Sequence, residues 1–260
     1  MKKNFIFLSF AALLLSSAAS AQIKLNSKGV GAVGKGVQAA TFSDADAARL
    51  AGEAIAYMDS HNPVAAADDP YAIRLEKIFG KHKEEGGLKL NYKVYKVKDI
   101  NAFACADGSV RVFSSLMDIL TDDELLAVIG HEIGHVANKD TRDAVRDAYK
   151  RAAIADAAAS QSGTAATLTE SQLGDFANAL LASKYSRKQE TEADDYAYNF
   201  MKKYNYDVNA LASVFKKFAE MEKAAGAERS KSEKRMSSHP DSEARAERAS
   251  EKAKKDGLAK

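Results

Sequence analysis

The segment His131-Glu132-Ile133-Gly134-His135 combines residue types that can bind a metal ion and transfer protons. Side chains four residues apart on an α-helix project from one face, so the two imidazoles can reach the same ion. Glu132 is rotated by about 100° from His131 and can therefore act on a water molecule beside the metal. The pattern predicts a zinc site with His131 and His135 as ligands and Glu132 as the catalytic base.

This segment lies inside a strongly marked helix. Thr121 and Glu124 form a capping box, which predicts the first turn. The apolar face that follows contains Leu125, Leu126, Val128, Ile129, Ile133 and Val136. The alternative is a pair of surface histidines, but two histidines and a glutamate buried here without partners would cost several kcal/mol, on the order of the penalty for unpaired polar groups. A metal site is therefore favoured, and Gly130 and Gly134 would let another element approach closely.

A hydrolytic zinc site has three protein ligands and one open position, so a third ligand must come from another element. Ser186 and Gln189 form a second capping box, which predicts that another helix begins there. At about 100° per residue, Glu190 and Asp194 share the apolar face of that helix, whereas Glu192 points to solvent. We predict that Glu190 completes a site for one zinc ion. Asp194 would accept the second N–H of a metal-bound histidine.

The elements before this site are shorter. The apolar pattern predicts helices over 44–60 and 71–79, ended by Gly86-Gly87, and a half-buried strand from Leu88 to Val94. Asp107-Gly108 predicts a tight turn between strands at 101–106 and 109–113. The remainder is mostly helical. The expected fold class is α+β and predominantly helical, with a small antiparallel sheet or hairpin before the active-site helix.

The first 21 residues have the composition of a secretory signal peptide. Lys2 and Lys3 precede an apolar run over 5–15, and Ala19-Ser20-Ala21 is a small-residue cleavage site. A membrane anchor is the alternative, but the run is shorter than the ~20 residues that a spanning helix needs. We expect export, most readily to the periplasm, with secretion or envelope association as alternatives. Residues 22–40 are predicted to be a flexible Gly-rich segment and 41–260 a single domain.

The composition excludes some functions. The chain has 260 residues, with 38 Lys and Arg against 36 Asp and Glu. Removal of Lys2 and Lys3 with the signal peptide leaves 36 of each sign, and a neutral chain binds nucleic acid poorly. Cys105 is the only cysteine, so no intramolecular disulfide can form. It lies in an apolar, strand-like run and is predicted to be buried, whereas His61 and His82 are interpreted as surface residues.

Four sequence blocks resemble one known family. His131-Glu132-x-x-His135 followed by Ser186-Arg187-x-x-Glu190-x-x-Ala193-Asp194 is similar to the zinc metallopeptidases of the HtpX and CAAX-prenyl-protease family, which are gluzincins. Asn101-Ala102-Phe103-Ala104 and Ser238-His239-Pro240, with Arg245 six residues after the histidine, match two further blocks. The resemblance spans roughly Leu88 to Arg245. The sequence lacks the transmembrane helices of the membrane-embedded members and looks closer to the soluble, exported LoiP-like branch.

The resemblance implies a gluzincin-type peptidase core and roles for further residues. His239 and Arg245 would be catalytic, as donors to the oxyanion, and in some relatives the matching histidine binds the metal in a latent form. The edge strand to which an extended substrate adds would be formed by Asn101, Ala102, Phe103 and Ala104.

We therefore expect an exported zinc metalloendopeptidase that hydrolyses peptide bonds in unfolded or misassembled envelope proteins. One alternative is a catalytically latent, chaperone-like binding module with a zinc site, which an intact Glu132 disfavours. Another is a thiol hydrolase that uses Cys105, which would leave the His-Glu-x-x-His pattern unexplained. The expected partner is an extended polypeptide, and peripheral contact with a membrane is compatible with the sequence. The sequence does not specify an oligomeric state.

Overall fold

The computed structural model describes residues 42–155, 168–225, 239 and 241–260. The predicted signal peptide (1–21) and Gly-rich segment (22–40) lie outside the described residues. The described helices are α1 (Asp44–His61), α2 (Pro70–Phe79), α3 (Ser114–Ile119), α4 (Asp122–Ala137), α5 (Asp140–Ala155), α6 (Glu170–Leu181), α7 (Arg187–Lys203), α8 (Asn209–Ala225) and α9 (Ser242–Lys255). The described strands are β1 (Glu84–Glu85), β2 (Leu88–Lys89), β3 (Asn91–Tyr95), β4 (Ala102–Ala104) and β5 (Ser109–Phe113). Within these ranges, no helix is both long and apolar enough to cross a bilayer.

The larger sheet has the strand order β3-β5-β4. The predicted hairpin is confirmed, because β4 and β5 pair antiparallel across the Asp107-Gly108 turn. The expected sheet was antiparallel, but β3 and β5 pair in parallel, so the larger sheet is mixed. The chain reverses between β3 and β4 and again at the turn, so β5 runs in the direction of β3 and lies between the two. Gly108 has φ +85°, and a Cβ there would lie 2.1 Å from the Lys89 carbonyl oxygen, so only glycine fits.

The region between α2 and β3 differs from the prediction. Helix α2 ends at Phe79, as predicted, but its C-cap is Gly80 and the Gly86-Gly87 pair lies beyond it. Those two glycines, with φ +60° and +77°, form the turn of a hairpin between β1 and β2. The predicted strand from Leu88 to Val94 is divided at Leu90, because β2 pairs with β1 whereas β3 pairs with β5. Alternating apolar residues indicate that the chain is extended, but they do not indicate which strand each half of the predicted segment pairs with.

Two apolar clusters form the core. The first contains α2, α3, α4 and α7 to α9, together with one face of the larger sheet. The second contains α1, α5 and α6, with Tyr95, Cys105 and Phe113. Cys105 is buried, as predicted. Burial also raises the pKa of its thiol well above the ordinary range, which argues against a nucleophilic thiolate.

Helices α4 and α7 pack closely against each other. A Cβ at Gly130 would lie 3.0 Å from Phe200 Cδ1, and one at Gly134 would lie 3.0 Å from both Cα and the carbonyl oxygen of Ala193. Neither glycine could carry a larger side chain without a shift of the opposing helix. The expectation that these glycines permit close approach is confirmed. The two backbones are thereby brought near enough for short side chains to meet.

One predicted surface residue is buried. His82 is only 2% exposed, and its ring contacts those of Phe79, Phe200 and Tyr204. Its Nε2 lies 2.7 Å from the Tyr206 hydroxyl, which provides the polar partner. Lys81 and Lys83 flank His82, so the sequence of this segment is typical of a solvated loop. Both lysines are exposed, whereas the His82 side chain turns inward. His61 is exposed, as predicted.

Candidate metal centre

Two capped helices position the central residues. In α4, the Thr121 hydroxyl accepts the Glu124 backbone N–H at 3.3 Å, and the Glu124 carboxylate accepts that of Thr121 at 2.8 Å. In α7, Ser186 and Gln189 exchange the equivalent bonds at 3.3 and 2.9 Å. Both predicted capping boxes are present. Each helix start is therefore fixed by its own sequence, which sets the faces that the two helices turn toward each other.

Four side chains converge between these helices. Nε2 of His131 and Nε2 of His135 are 3.1 Å apart, and the Glu190 carboxylate lies 3.6 Å from the first and 3.5 Å from the second. His239 brings its Nδ1 to 2.9 Å from Glu190 Oε1 and 3.2 Å from His131 Nε2. One possible ligand atom from each of the four lies within 4.8 Å of the other three. The structure thus brings together all three predicted ligands and adds His239. Glu192, in contrast, is exposed.

Carboxylates orient both imidazoles. Nδ1 of His131 lies 3.0 Å from Asp194 Oδ1, as predicted, and Nδ1 of His135 lies 2.9 Å from Asp140 Oδ2. Asp140 was missed by the sequence analysis. It follows the end of α4, where Lys139 turns the chain with φ +66°, so helical periodicity could not place it. Gln189 donates to the other oxygen of Asp140 at 2.9 Å and holds it in position.

This arrangement fits a metal cation. Both histidines direct Nδ1 toward a carboxylate, which leaves the two Nε2 atoms facing each other. Glu190 Oε2 is buried without a hydrogen bond from any described residue, although Arg245 Nη1 lies 2.8 Å away as an ion pair. A cation bound by these three atoms would satisfy all of them at once. Imidazole and carboxylate donors of this kind suit a divalent transition metal.

One buried arginine contacts two of the carboxylates around the cluster. Arg245 Nη2 and Nε lie 2.6 and 3.0 Å from the two oxygens of Asp194, while Nη1 contacts Glu190. Burial alone would raise the pKa values of both carboxyls. Hydrogen bonds from the histidines and the charge of Arg245 outweigh burial and hold both pKa values well below their usual range. Both side chains are therefore ionised.

The pKa of His135 is shifted in the opposite direction, upward. Burial would lower its pKa, but hydrogen bonds to Asp140 and Glu190 raise that pKa to about 9. In the metal-free protein, this histidine therefore holds a proton at a position where a cation is favourable. Because a metal must displace that proton, metal binding should weaken as the pH falls.

Glu132 is buried beside the cluster and is not one of its four members. Burial raises the pKa of its carboxyl, as suits a base that works near neutral pH. Its Oε1 lies 3.7 Å from His239 Nε2. Two cavities meet at Glu132, and Asn101, Ala102 and His239 also line both. The first cavity has an apolar wall formed by Ile100, Leu116, Val128, Val214, Phe215 and Phe218. The second is lined by residues that include Met58, Phe103, Val145, Leu180, Leu181 and Tyr185.

Strand β4 leaves a free edge between these cavities. Asn101 accepts the Phe113 N–H at 3.0 Å, and Cys105 donates to Ser109 at 2.8 Å, so odd-numbered residues pair with β5. Because hydrogen-bonding direction alternates along a strand, the backbone groups of Ala102 and Ala104 face away from β5. No backbone partner for them occurs in the described part of the chain. The predicted edge strand is thus positioned beside the cluster.

Tyr185 is a further neighbour that the sequence analysis missed. Its ring stacks on His135, with centroids 3.8 Å apart and an angle of 17° between the planes. Burial, followed by the carboxylate of Glu132, raises the pKa of its phenol well above the ordinary value, so the hydroxyl keeps its proton. In the sequence, the only feature that pointed to Tyr185 was its position directly before Ser186, the N-cap of α7.

A His-Glu-x-x-His helix packed against a second helix that supplies a carboxylate defines the class of metallopeptidases. Comparison with known proteins agrees: residues 74–253 match the family model of Peptidase family M48. The chain belongs to this family, and it is a metal-dependent protease. The four-residue cluster is where its residues can hold the metal.

Similar proteins carry the same assignment in their names. Metalloprotease YcaL of Escherichia coli (strain K12) is 40% identical over 211 residues, which cover 81% of each chain. Metalloprotease LoiP of the same strain is 39% identical over 85% of this chain and 86% of its own length. A Vibrio cholerae protein, described as a candidate beta-barrel assembly-enhancing protease, is 28% identical over 51% of this chain and 29% of its own length.

Proposed function

We propose that this protein is a zinc endopeptidase, exported to the periplasm, that cleaves extended segments of unfolded or misassembled envelope proteins. The convergence of His131, His135 and Glu190 beside the free edge of β4 carries the proposal. Two imidazoles and one carboxylate form the ligand set that zinc takes in hydrolytic sites. Export is supported by the signal-peptide composition of residues 1–21, and envelope substrates by the name of the Vibrio cholerae relative.

Zinc bound by these ligands would supply the Lewis acidity that activates water and polarises a peptide carbonyl. Glu132 accepts the proton of the attacking water, because its raised pKa suits it to hold a proton briefly. The same carboxyl then protonates the leaving amine. We assign His239, whose Nε2 lies 3.7 Å from Glu132, as a donor to the developing oxyanion. Arg245 is buried and engaged with Glu190 and Asp194, so it acts mainly by holding those carboxylates.

The substrate is an extended polypeptide that pairs with β4. The free N–H and C=O groups of Ala102 and Ala104 bind the main chain of the substrate, so this binding does not depend on the substrate sequence. An antiparallel substrate strand runs from the second cavity toward the first. The apolar walls of the two cavities therefore favour apolar side chains on both sides of the scissile bond. Such a segment is buried in folded proteins and accessible in unfolded ones.

The test compares Glu132→Gln with Glu192→Gln as a matched control. We expect Glu132→Gln to keep its bound zinc, measured by elemental analysis, and to lose casein cleavage by at least roughly 10²-fold, as for removal of a general base. Glu192 is exposed, so its variant should match the wild type in both measurements. Cleavage by Glu132→Gln at the wild-type rate, or cleavage that survives complete removal of metal, would refute the assignment.

A further inference from the structure

Tyr185 lies against the metal cluster on the side of the second cavity. Its ring is stacked on the His135 imidazole at 3.8 Å, and the centroid of the His239 ring is 5.5 Å away. The residue directly precedes the N-cap of α7, so the start of that helix fixes its main chain. One face of the ring is thus held by a predicted metal ligand. The hydroxyl group has no such constraint.

The Tyr185 hydroxyl makes no hydrogen bond to any described residue. Buried tyrosine hydroxyls normally find a partner. Three other tyrosines show such partners: the hydroxyls of Tyr95, Tyr198 and Tyr206 lie 2.6, 3.1 and 2.7 Å from Asp59, Asp256 and His82. Tyr185 instead lines the cavity that also contains Glu132 and the residues of β4. It is partly exposed, so a ligand in that cavity can reach it.

We propose that the Tyr185 hydroxyl donates a hydrogen bond to the carbonyl oxygen of the scissile peptide, and that its ring positions His135. This inference rests on the proposed function. A substrate strand on β4 must pass through the second cavity to bring its scissile carbonyl to Glu132. An unpaired donor on that path is available to the oxygen as negative charge develops there. Because the phenol is already oriented by the stacked ring, little reorganisation is needed.

Two substitutions separate the hydroxyl from the ring. Tyr185→Phe keeps the stacked ring and removes only the donor, whereas Tyr185→Leu removes both. Tyr57→Phe is the matched control, because Tyr57 also stacks on a histidine, His61 at 4.0 Å, outside the cluster. The measurements are bound zinc, melting temperature, and kcat and KM on a fluorogenic peptide with apolar residues around the cleaved bond.

We expect Tyr185→Phe to keep its zinc, melting temperature and KM, while kcat falls roughly 10²-fold, as for the loss of one oxyanion donor. Tyr185→Leu should also weaken zinc binding by roughly 10- to 100-fold, and Tyr57→Phe should match the wild type. Wild-type kcat in Tyr185→Phe, or a raised KM with unchanged kcat, would overturn the donor role and leave the peptidase assignment intact. A wild-type protein without metal-dependent cleavage would overturn both.

Discussion

At the scale of single residues, Glu190 and Glu192 show how position determines chemistry. They lie two residues apart on α7, yet Glu190 is 2% exposed and contacts three histidines, whereas Glu192 is exposed and pairs with Lys188 at 3.7 Å. The difference follows from the rotation of about 100° per residue, which separates them by roughly 200°. One carboxylate is therefore available to a metal, and the other contributes only to the polar surface.

We expect Glu190→Ala to lose most of its bound metal, while Glu192→Ala retains the wild-type amount. Removing Glu190 takes away one ligand and leaves Arg245 with a single carboxylate partner, Asp194. Elemental analysis after dialysis against metal-free buffer measures the effect. Equal metal loss in both variants would show that the ligand lies elsewhere on α7.

Much of the site at this scale could be predicted from the sequence. Helical geometry gives the spacing within two pairs, His131 with His135 and Glu190 with Asp194, and the structure brings all four together. Asp140 and Tyr185 could not be found this way, because Asp140 begins α5 directly after a turn and Tyr185 lies before α7, so the position of each depends on a turn or loop. His82 was misjudged because its neighbours along the chain are charged, although burial is decided by neighbours in space.

At the scale of elements, the approach of α4 to α7 determines the metal centre. A Cβ at Gly134 would lie 3.0 Å from the Ala193 backbone. Gly134 directly precedes His135, and Ala193 lies three residues after Glu190, so this contact adjoins predicted ligands on both helices. The sequence predicted both helices and their capped starts. It could not predict that β5 would lie between β3 and β4, since alternation of apolar residues carries no information on strand order.

We expect Gly134→Ala to destabilise the protein by roughly 1 to 3 kcal/mol, because the added methyl group must push α7 away. Gly52→Ala in α1 is the control, since its Cβ would meet only Asp107 Oδ2 at an ordinary 3.7 Å. That substitution should be neutral or stabilising by up to about 1 kcal/mol, because alanine favours a helix. Urea unfolding measures both. A neutral Gly134→Ala would show that the helix pair tolerates more space than its geometry indicates.

At the scale of the whole molecule, the site lies where the two apolar clusters meet, with one cavity adjoining each. A buried ion pair joins the halves: Arg111 on β5 is 1% exposed and donates to both oxygens of Asp59 on α1 at 2.8 and 3.0 Å. Burial would raise the pKa of Asp59, but hydrogen bonds from Arg111, Lys93 and Tyr95 lower it to about 2.

We expect Asp59→Asn to lower the free energy of unfolding by about 3 kcal/mol at pH 7, because Arg111 loses its counter-ion. The pKa of Asp59 is about 2 in the folded protein, below the ~3.9 of an unfolded aspartate. Its contribution is therefore complete above pH ~4 and disappears as the pH falls toward 2.

Unfolding of both proteins across this pH range tests the prediction, with Asp68→Asn as an exposed control. The stability difference between wild type and Asp59→Asn should shrink below pH ~4. A difference that stays constant from pH 7 to pH 2 would contradict the ionic origin.

The contribution of α9 to the centre has a consequence for biosynthesis. Arg245 neutralises Asp194 from a position 51 residues later in the chain. A nascent polypeptide that has emerged only through α8 therefore contains every predicted metal ligand but lacks their counter-charge. The metal centre is consequently complete only once α9 has docked, however early α4 and α7 have formed.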